Sequence, residues 1–253
     1  MAYDTIVVEE SDRRMTVVLD RPGKKNALTT AMFEEMREAV ETATERDVGV
    51  VTLRGTGGDF SAGVDMSNVP TWIEQKPLEV RDQLEAVHET LEYFESVSLP
   101  LVAALEGYVL GGALELAISC DIRVAKRGAR FGLPESKLGL VMNYGGAQKL
   151  PGLIGEGMTK YLVMTGETID ARRAHEIGLV ETLAEPSEFE GVLSDLEETL
   201  AEKPRYVHDM AKRQIHSARP LNIDESMQQA IHHAVAAYQE EETQQRSLDF
   251  LTE

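Results

Sequence analysis

The chain reads as an α/β protein: repeated ββα material first, then a helical C-terminal region. Three observations predict this class. Short β-branched runs alternate with amphipathic stretches at intervals of about fifty residues, although no strict repeat is present. Glycine-rich turns follow the buried-looking runs, as at Gly55 and Gly107. From Gly145 onward the pattern becomes mostly helical.

Residues 5–10 and 14–20 are strand-like runs separated by Ser11-Asp12-Arg13, which predicts a hairpin. Arg21-Pro22-Gly23 breaks the second strand. Thr29 or Thr30 caps a helix to about residue 46, with Met32, Phe33, Met36 and Val40 as its apolar face. Residues 48–54 form a buried strand, followed by the glycine-rich stretch ending at Gly63. A helix over 78–97 carries Leu84, Val87, Leu91 and Phe94 at helical spacing. A strand over 100–105, a turn over 107–112, a short helix over 112–119 and a strand over 121–125 come next. Further helices are expected over 156–165, 170–176, 188–203, 204–217 and 223–246. Met227, Ala230, Ile231, Ala234, Val235 and Tyr238 draw an apolar stripe on the last. Such a stripe must pack on the parent domain or on a second subunit.

With 253 residues, the chain fits one large domain, or one with a smaller appendage. A chain of this size buries roughly 75% of its unfolded surface and needs no staple. Cys120 is the only cysteine, so no intrachain disulfide forms, which fits a cytoplasmic home. The first ten residues lack the basic and apolar regions of a signal peptide, and no apolar run is long enough for a bilayer. Forty-four Asp and Glu against 25 Lys and Arg give a net charge of −19. That charge argues against nucleic acid and anionic membranes as partners. It fits a salt-rich cytoplasm, where ions screen self-repulsion, or an ordinary acidic protein.

Two glutamates carry the chemical signal. Glu115 lies in Gly107-Tyr-Val-Leu-Gly-Gly-Ala-Leu-Glu115-Leu-Ala, and Glu135 in Arg130-Phe-Gly-Leu-Pro-Glu135. Gly111-Gly112 leaves bare backbone at a helix start, where free N–H groups favour developing negative charge. Read alone, that pair is a tight turn. Apolar neighbours make Glu115 a buried carboxylate, which needs a partner or a job. Glu135 alone reads as a loop acid, and Phe60-Ser-Ala-Gly63-Val64-Asp65 as a strand-ending turn with Asp65 capping a helix. Together, aimed N–H groups and two carboxylates suit enolate chemistry with an acid and a base. Other chemistries lack their parts. Leu179 occupies the second histidine position after His175-Glu176, and adjacent His232 and His233 point apart on a helix, so no metal site is expected. Neither a GxSxG elbow nor a Walker A loop occurs.

Six co-linear segments, spread over about residues 5 to 220, resemble the crotonase, or enoyl-CoA hydratase/isomerase, family. They are Arg21-Pro-Gly-Lys-Lys-Asn26-Ala-Leu28, the 60–65 and 107–117 stretches, Cys120-Asp121, Phe131-Gly-Leu-Pro-Glu135 and Gly145-Gly-Ala-Gln148. The resemblance implies a crotonase-like ββα spiral core over 1–200 and a helical trimerisation region over 201–253. It implies an acyl-CoA thioester substrate, a homotrimer or dimer of trimers, and no separate cofactor, since coenzyme A enters with the substrate. The backbone N–H groups of Val64 and Gly112 match the family's oxyanion hole. Glu115 and Glu135 match the two catalytic carboxylates of hydratases, so the expected reaction is reversible hydration of a 2-enoyl-CoA, with the roles of the two acids open. Ser61, Ala62 and Asp65 fall where the adenine packs, and Lys24 and Lys25 are candidates for the phosphates or else plain surface lysines. An isomerase of the same fold and a non-catalytic binding or assembly protein are the alternatives.

Two departures stand out against that pattern. Val141-Met-Asn143-Tyr144-Gly-Gly replaces a Pro-Gly-containing loop, with Asn143 where a glycine N–H helps hold the catalytic water. Asn143 keeps an N–H, but its side chain and Tyr144 are expected to reshape the water and acyl pockets. Ser247 to Glu253 resembles only the start of the family's terminal helix, which predicts a looser coenzyme A site.

Overall fold

The computed structural model describes residues 3–68 and 75–218. Strands β1 (Ile6–Ser11) and β2 (Arg14–Leu19) form the expected antiparallel hairpin, turned at Asp12 with φ of 54°. Helix α1 (Thr30–Glu45) is capped by Thr29, whose hydroxyl accepts the Met32 N–H at 3.2 Å. Strand β3 (Val50–Gly55), helix α2 (Pro77–Ser96) and strand β4 (Leu101–Leu105) follow. Next come β5 (Tyr108–Leu110), the short helix α3 (Gly112–Ala117), β6 (Ile122–Lys126) and β7 (Arg130–Gly132). Helix α4 (Gly146–Thr165), β8 (Thr168–Asp170), α5 (Ala171–Glu176) and β9 (Thr182–Ala184) lead to α6 (Phe189–Ala201) and α7 (Arg205–Ala218). Among the described residues, no helix is long and apolar enough to cross a membrane.

Two sheets result. The larger has the order β1-β2-β3-β4-β6-β9, parallel throughout except for the β1–β2 hairpin. Its central strands are buried almost throughout, because successive side chains go to opposite faces and both faces are covered. Val51, Leu53, Leu101, Ala103 and Leu105 join the main core with Met32, Phe33 and Met36 of α1 and Val87, Leu91 and Phe94 of α2. Val50, Val102, Ala104 and Val124 point the other way, onto Phe189 and Leu193 of α6.

The second sheet, β5-β7-β8, departs from the sequence expectation. Residues 108–110 were expected in a turn and instead pair in parallel with β7, Leu110 opposite Gly132. Gly107 and Gly111, both at positive φ, bound this three-residue strand and give its sequence a turn-like look. Helix α4 likewise starts ten residues before the expected Glu156, and it is interrupted at Gly155, where φ is 77°. The predicted helix over 223–246 and the terminal segment lie outside the described residues.

Candidate active site

Parallel pairing of β5 with β7 brings the two glutamates together. The Gly111 N–H donates to the Gly132 carbonyl at 2.9 Å, so both strands end at the same level. From there one strand leads into α3 and reaches Glu115; the other leads into the 3-10 turn Pro134–Leu138, whose second residue is Glu135. Gly111, with φ of 55°, is required here. A Cβ on it would lie 2.6 Å from Glu135 Oε1.

The 61–65 segment closes the opposite side of β5. Ser61 bridges to Val109, and Leu28 bridges to Val64. The carbonyl of Gly63 accepts the Leu28 N–H at 2.8 Å, and the Asp65 N–H donates to the Leu28 carbonyl at 2.9 Å. Gly63, at φ of 96°, packs so closely that a Cβ there would stand 2.6 Å from the Leu110 carbonyl oxygen and 3.6 Å from the Gly112 nitrogen. Val64 and Gly112 therefore adjoin. Neither N–H donates to a protein acceptor among the described residues.

Glu115 is buried, at 1% exposure. Its Oε1 accepts the N–H groups of Tyr144 at 2.9 Å and Gly146 at 2.8 Å. Burial pushes its carboxyl above the ordinary range; the N–H groups of Gly146, Tyr144 and Asn143, and then Lys149, pull the other way. Glu135 is half-buried, and its Oε2 has no hydrogen-bond partner among the described residues. Burial raises its carboxyl too, the neighbouring Glu115 charge raises it further, and only its own backbone N–H opposes. More donors serve Glu115, so in this coupled pair the proton resides preferentially on Glu135.

The other expected residues are placed as follows. Ser61 and Asp65 turn their side chains into the protein. Ser61 Oγ accepts the Gly63 N–H at 3.1 Å. The Asp65 carboxylate accepts from the Arg21 guanidinium at 2.8 Å and the Ser67 hydroxyl at 2.6 Å. The Ser67 hydroxyl first, then Arg21, hold it down to about 2. Both side chains brace the Val64 turn. Ala62 is exposed, and its N–H donates to the Lys25 carbonyl at 2.9 Å. Lys24 and Lys25 are both exposed, and the Lys25 ammonium stands 4.0 Å over the Tyr108 ring and 3.8 Å from Asp59. Asn143 is exposed, and its carbonyl meets His88 Nε2 in a short hydrogen bond.

Two groups were missed in the sequence as site-builders, Asn26 and His88, whereas Tyr144 was expected to reshape the water and acyl pockets. Asn26, fully buried, donates to the carbonyls of Thr56 at 2.9 Å and Asp59 at 2.8 Å, tying the first motif to the glycine-rich stretch. His88 lies four residues after Leu84 and three before Leu91 but is exposed on α2, from where its Nε2 reaches the Asn143 carbonyl. Tyr144, 6% exposed, packs edge-on to Phe33 with centroids 5.5 Å apart. Burial, with Glu115 adding, pushes its hydroxyl up to about 12.

A family profile described as enoyl-CoA hydratase/isomerase matches residues 10–253. A crotonyl-CoA hydratase of Syntrophomonas wolfei is 33% identical over 230 residues, covering 90% of this chain and 87% of the relative. A short-chain-enoyl-CoA hydratase of Clostridium acetobutylicum is 32% identical over 229 residues, with the same two coverages. Among solved structures, the enoyl-CoA hydratase from Bacillus anthracis superposes with a TM-score of 0.92 at 28% identity, covering 98% of this chain and 96% of that one.

Proposed function

This chain belongs to the enoyl-CoA hydratase/isomerase family, and from that premise we propose that it reversibly adds water across the 2,3 double bond of a 2-enoyl-CoA. The observation that carries the reading is the convergence of buried Glu115 and half-buried Glu135 beside the adjoining Val64 and Gly112 backbone. The thioester oxygen accepts the Val64 and Gly112 N–H groups, which strengthen their hold as charge moves onto it. Ionised Glu115 takes a proton from water as the water oxygen bonds to C3. The C2–C3 π pair shifts to give the enolate, and protonated Glu135 delivers its proton to C2. The product is a 3-hydroxyacyl-CoA, and proton exchange resets the pair.

The donor balance at the two acids supports this division of roles, which the sequence left open. The exposed N–H-bearing loop at Asn143 supports a water site beside Glu115. For coenzyme A, Lys24 and Lys25 beside the 61–65 turn are the phosphate candidates, with no separate cofactor needed. A homotrimer or dimer of trimers, which rests on the family resemblance, in a salt-rich cytoplasm, which the −19 charge supports, completes the proposal. The test is incubation of the purified protein with crotonyl-CoA in high-salt buffer. Loss of conjugated thioester absorbance with formation of 3-hydroxybutyryl-CoA is expected; a folded, CoA-binding protein that leaves the substrate unchanged refutes it.

A further inference from the structure

We propose that Tyr144 is the end wall of the acyl pocket and restricts this protein to short-chain 2-enoyl thioesters, about four carbons long. The inference rests on the hydratase reading and adds the substrate class to it.

The proposed mechanism sets where the acyl chain runs. C1 lies at the Val64 and Gly112 N–H groups, C3 within reach of Glu115, and C2 within reach of Glu135. Tyr144 borders that same path from two directions. Its N–H is bonded to Glu115 Oε1 at 2.9 Å, and its ring lies against Gly112. A Cβ on Gly112 would stand 3.0 Å from both Cδ2 and Cε2 of the ring, and 2.9 Å from Val64 Cγ2. Carbons beyond C4 therefore run into an aromatic face.

That face is fixed in place. Phe33, 1% exposed in the main core, presses edge-on against the ring. His88 of α2 stands edge-on from another side, centroids 6.5 Å apart, and its Nε2 bonds the carbonyl of Asn143. Swinging the ring out breaks the packing against Phe33 and His88 and strains the loop whose N–H groups hold Glu115. A rigid wall rejects oversized chains, at roughly 10- to 200-fold for even one excess methylene.

The experiment compares kcat/KM for crotonyl-CoA and trans-2-decenoyl-CoA in the unmodified protein, Tyr144→Ala and Tyr144→Phe. Affinity for the unreactive butyryl-CoA and decanoyl-CoA is measured in parallel by calorimetry. The unmodified protein is expected to favour the four-carbon substrate by about 100-fold or more. Tyr144→Ala is expected to narrow that ratio at least about tenfold, while Tyr144→Phe, which keeps the ring, retains it. Equal use of both chain lengths by the unmodified protein, or an unchanged ratio in Tyr144→Ala, overturns the proposal. If Tyr144→Ala does not fold, Tyr144→Leu takes its place. Should neither substrate be hydrated, the hydratase reading has failed, and the calorimetric ratio alone then decides: tighter binding of butyryl-CoA upholds the wall, equal affinities overturn it.

Discussion

Replacing Glu115 by glutamine separates the chemical work of this carboxylate from its structural work. In the native site Oε1 accepts two N–H groups, from Tyr144 at 2.9 Å and Gly146 at 2.8 Å. A glutamine keeps an oxygen for both donors and adds no volume, but it cannot take a proton from water. Loss of a general base costs roughly 10²- to 10⁴-fold in rate, or about 2.7–5.4 kcal/mol of barrier. Glu115→Ala removes the base and also leaves both buried N–H groups without an acceptor, at about 1–3 kcal/mol each. Both variants should therefore lose hydration of crotonyl-CoA to a similar extent, followed by initial rates of absorbance loss. Their thermal stabilities should differ: Glu115→Gln near the unmodified protein, Glu115→Ala lower by several degrees. Retention of activity within about threefold in Glu115→Gln would refute the base assignment. Equal destabilisation of both variants would refute the claim that the loop N–H groups are satisfied through Oε1.

Burial raises both carboxyls above 4.5, so kcat/KM should fall as pH drops and Glu115 takes up a proton, and fall again as pH rises and Glu135 loses one. Glu135→Gln should keep only a small residual rate without the alkaline limb. For stability, a raised carboxyl pKa contributes below the unfolded value, and that contribution is lost as pH rises through the folded value. Glu135→Gln should accordingly raise Tm at neutral pH and leave it unchanged near pH 4.5, the ordinary value, as scanning calorimetry at the two pH values would register. Gly112→Ala drives a methyl to 2.9 Å from Val64 Cγ2 and 3.0 Å from the Tyr144 ring, and should destabilise by about 1–3 kcal/mol in urea melts while depressing kcat. Asp65 is held down to about 2 from an ordinary 3.8, so its stabilisation is present above 3.8 and disappears as pH falls through 2. Asp65→Asn should lower stability at pH 7 by about 1–3 kcal/mol and flatten the acid dependence across that window.

The legible parts of the fold were those with strong local signals. The main sheet apart from its edge strand β9 could be read because β-branched runs of five or six residues repeat between amphipathic helices, and Thr29 had the chemistry of a cap. β5, β7, β8 and β9 were not legible: strands of three residues show no period, and only pairing partners make them strands. Because β5 and β7 form the platform under both glutamates, sequence reasoning found the acids but had no account of why they meet. The first half of α4 was hidden by its glycines and Pro151, which weaken any helical pattern. Ser61 and Asp65 illustrate a different limit. Their positions lie in the site, but their side chains point away from it, a choice made by partners such as Arg21, forty-four residues distant.

Hydration carried out in H2 18O tests the central claim most directly. Crotonyl-CoA incubated with the protein should yield 3-hydroxybutyryl-CoA carrying one 18O at C3, with Glu115→Gln and Glu135→Gln each suppressing its formation. Migration of the double bond to a 3-enoyl thioester, using a longer substrate and without 18O uptake, would contradict the account and make the pair of glutamates an isomerase site instead.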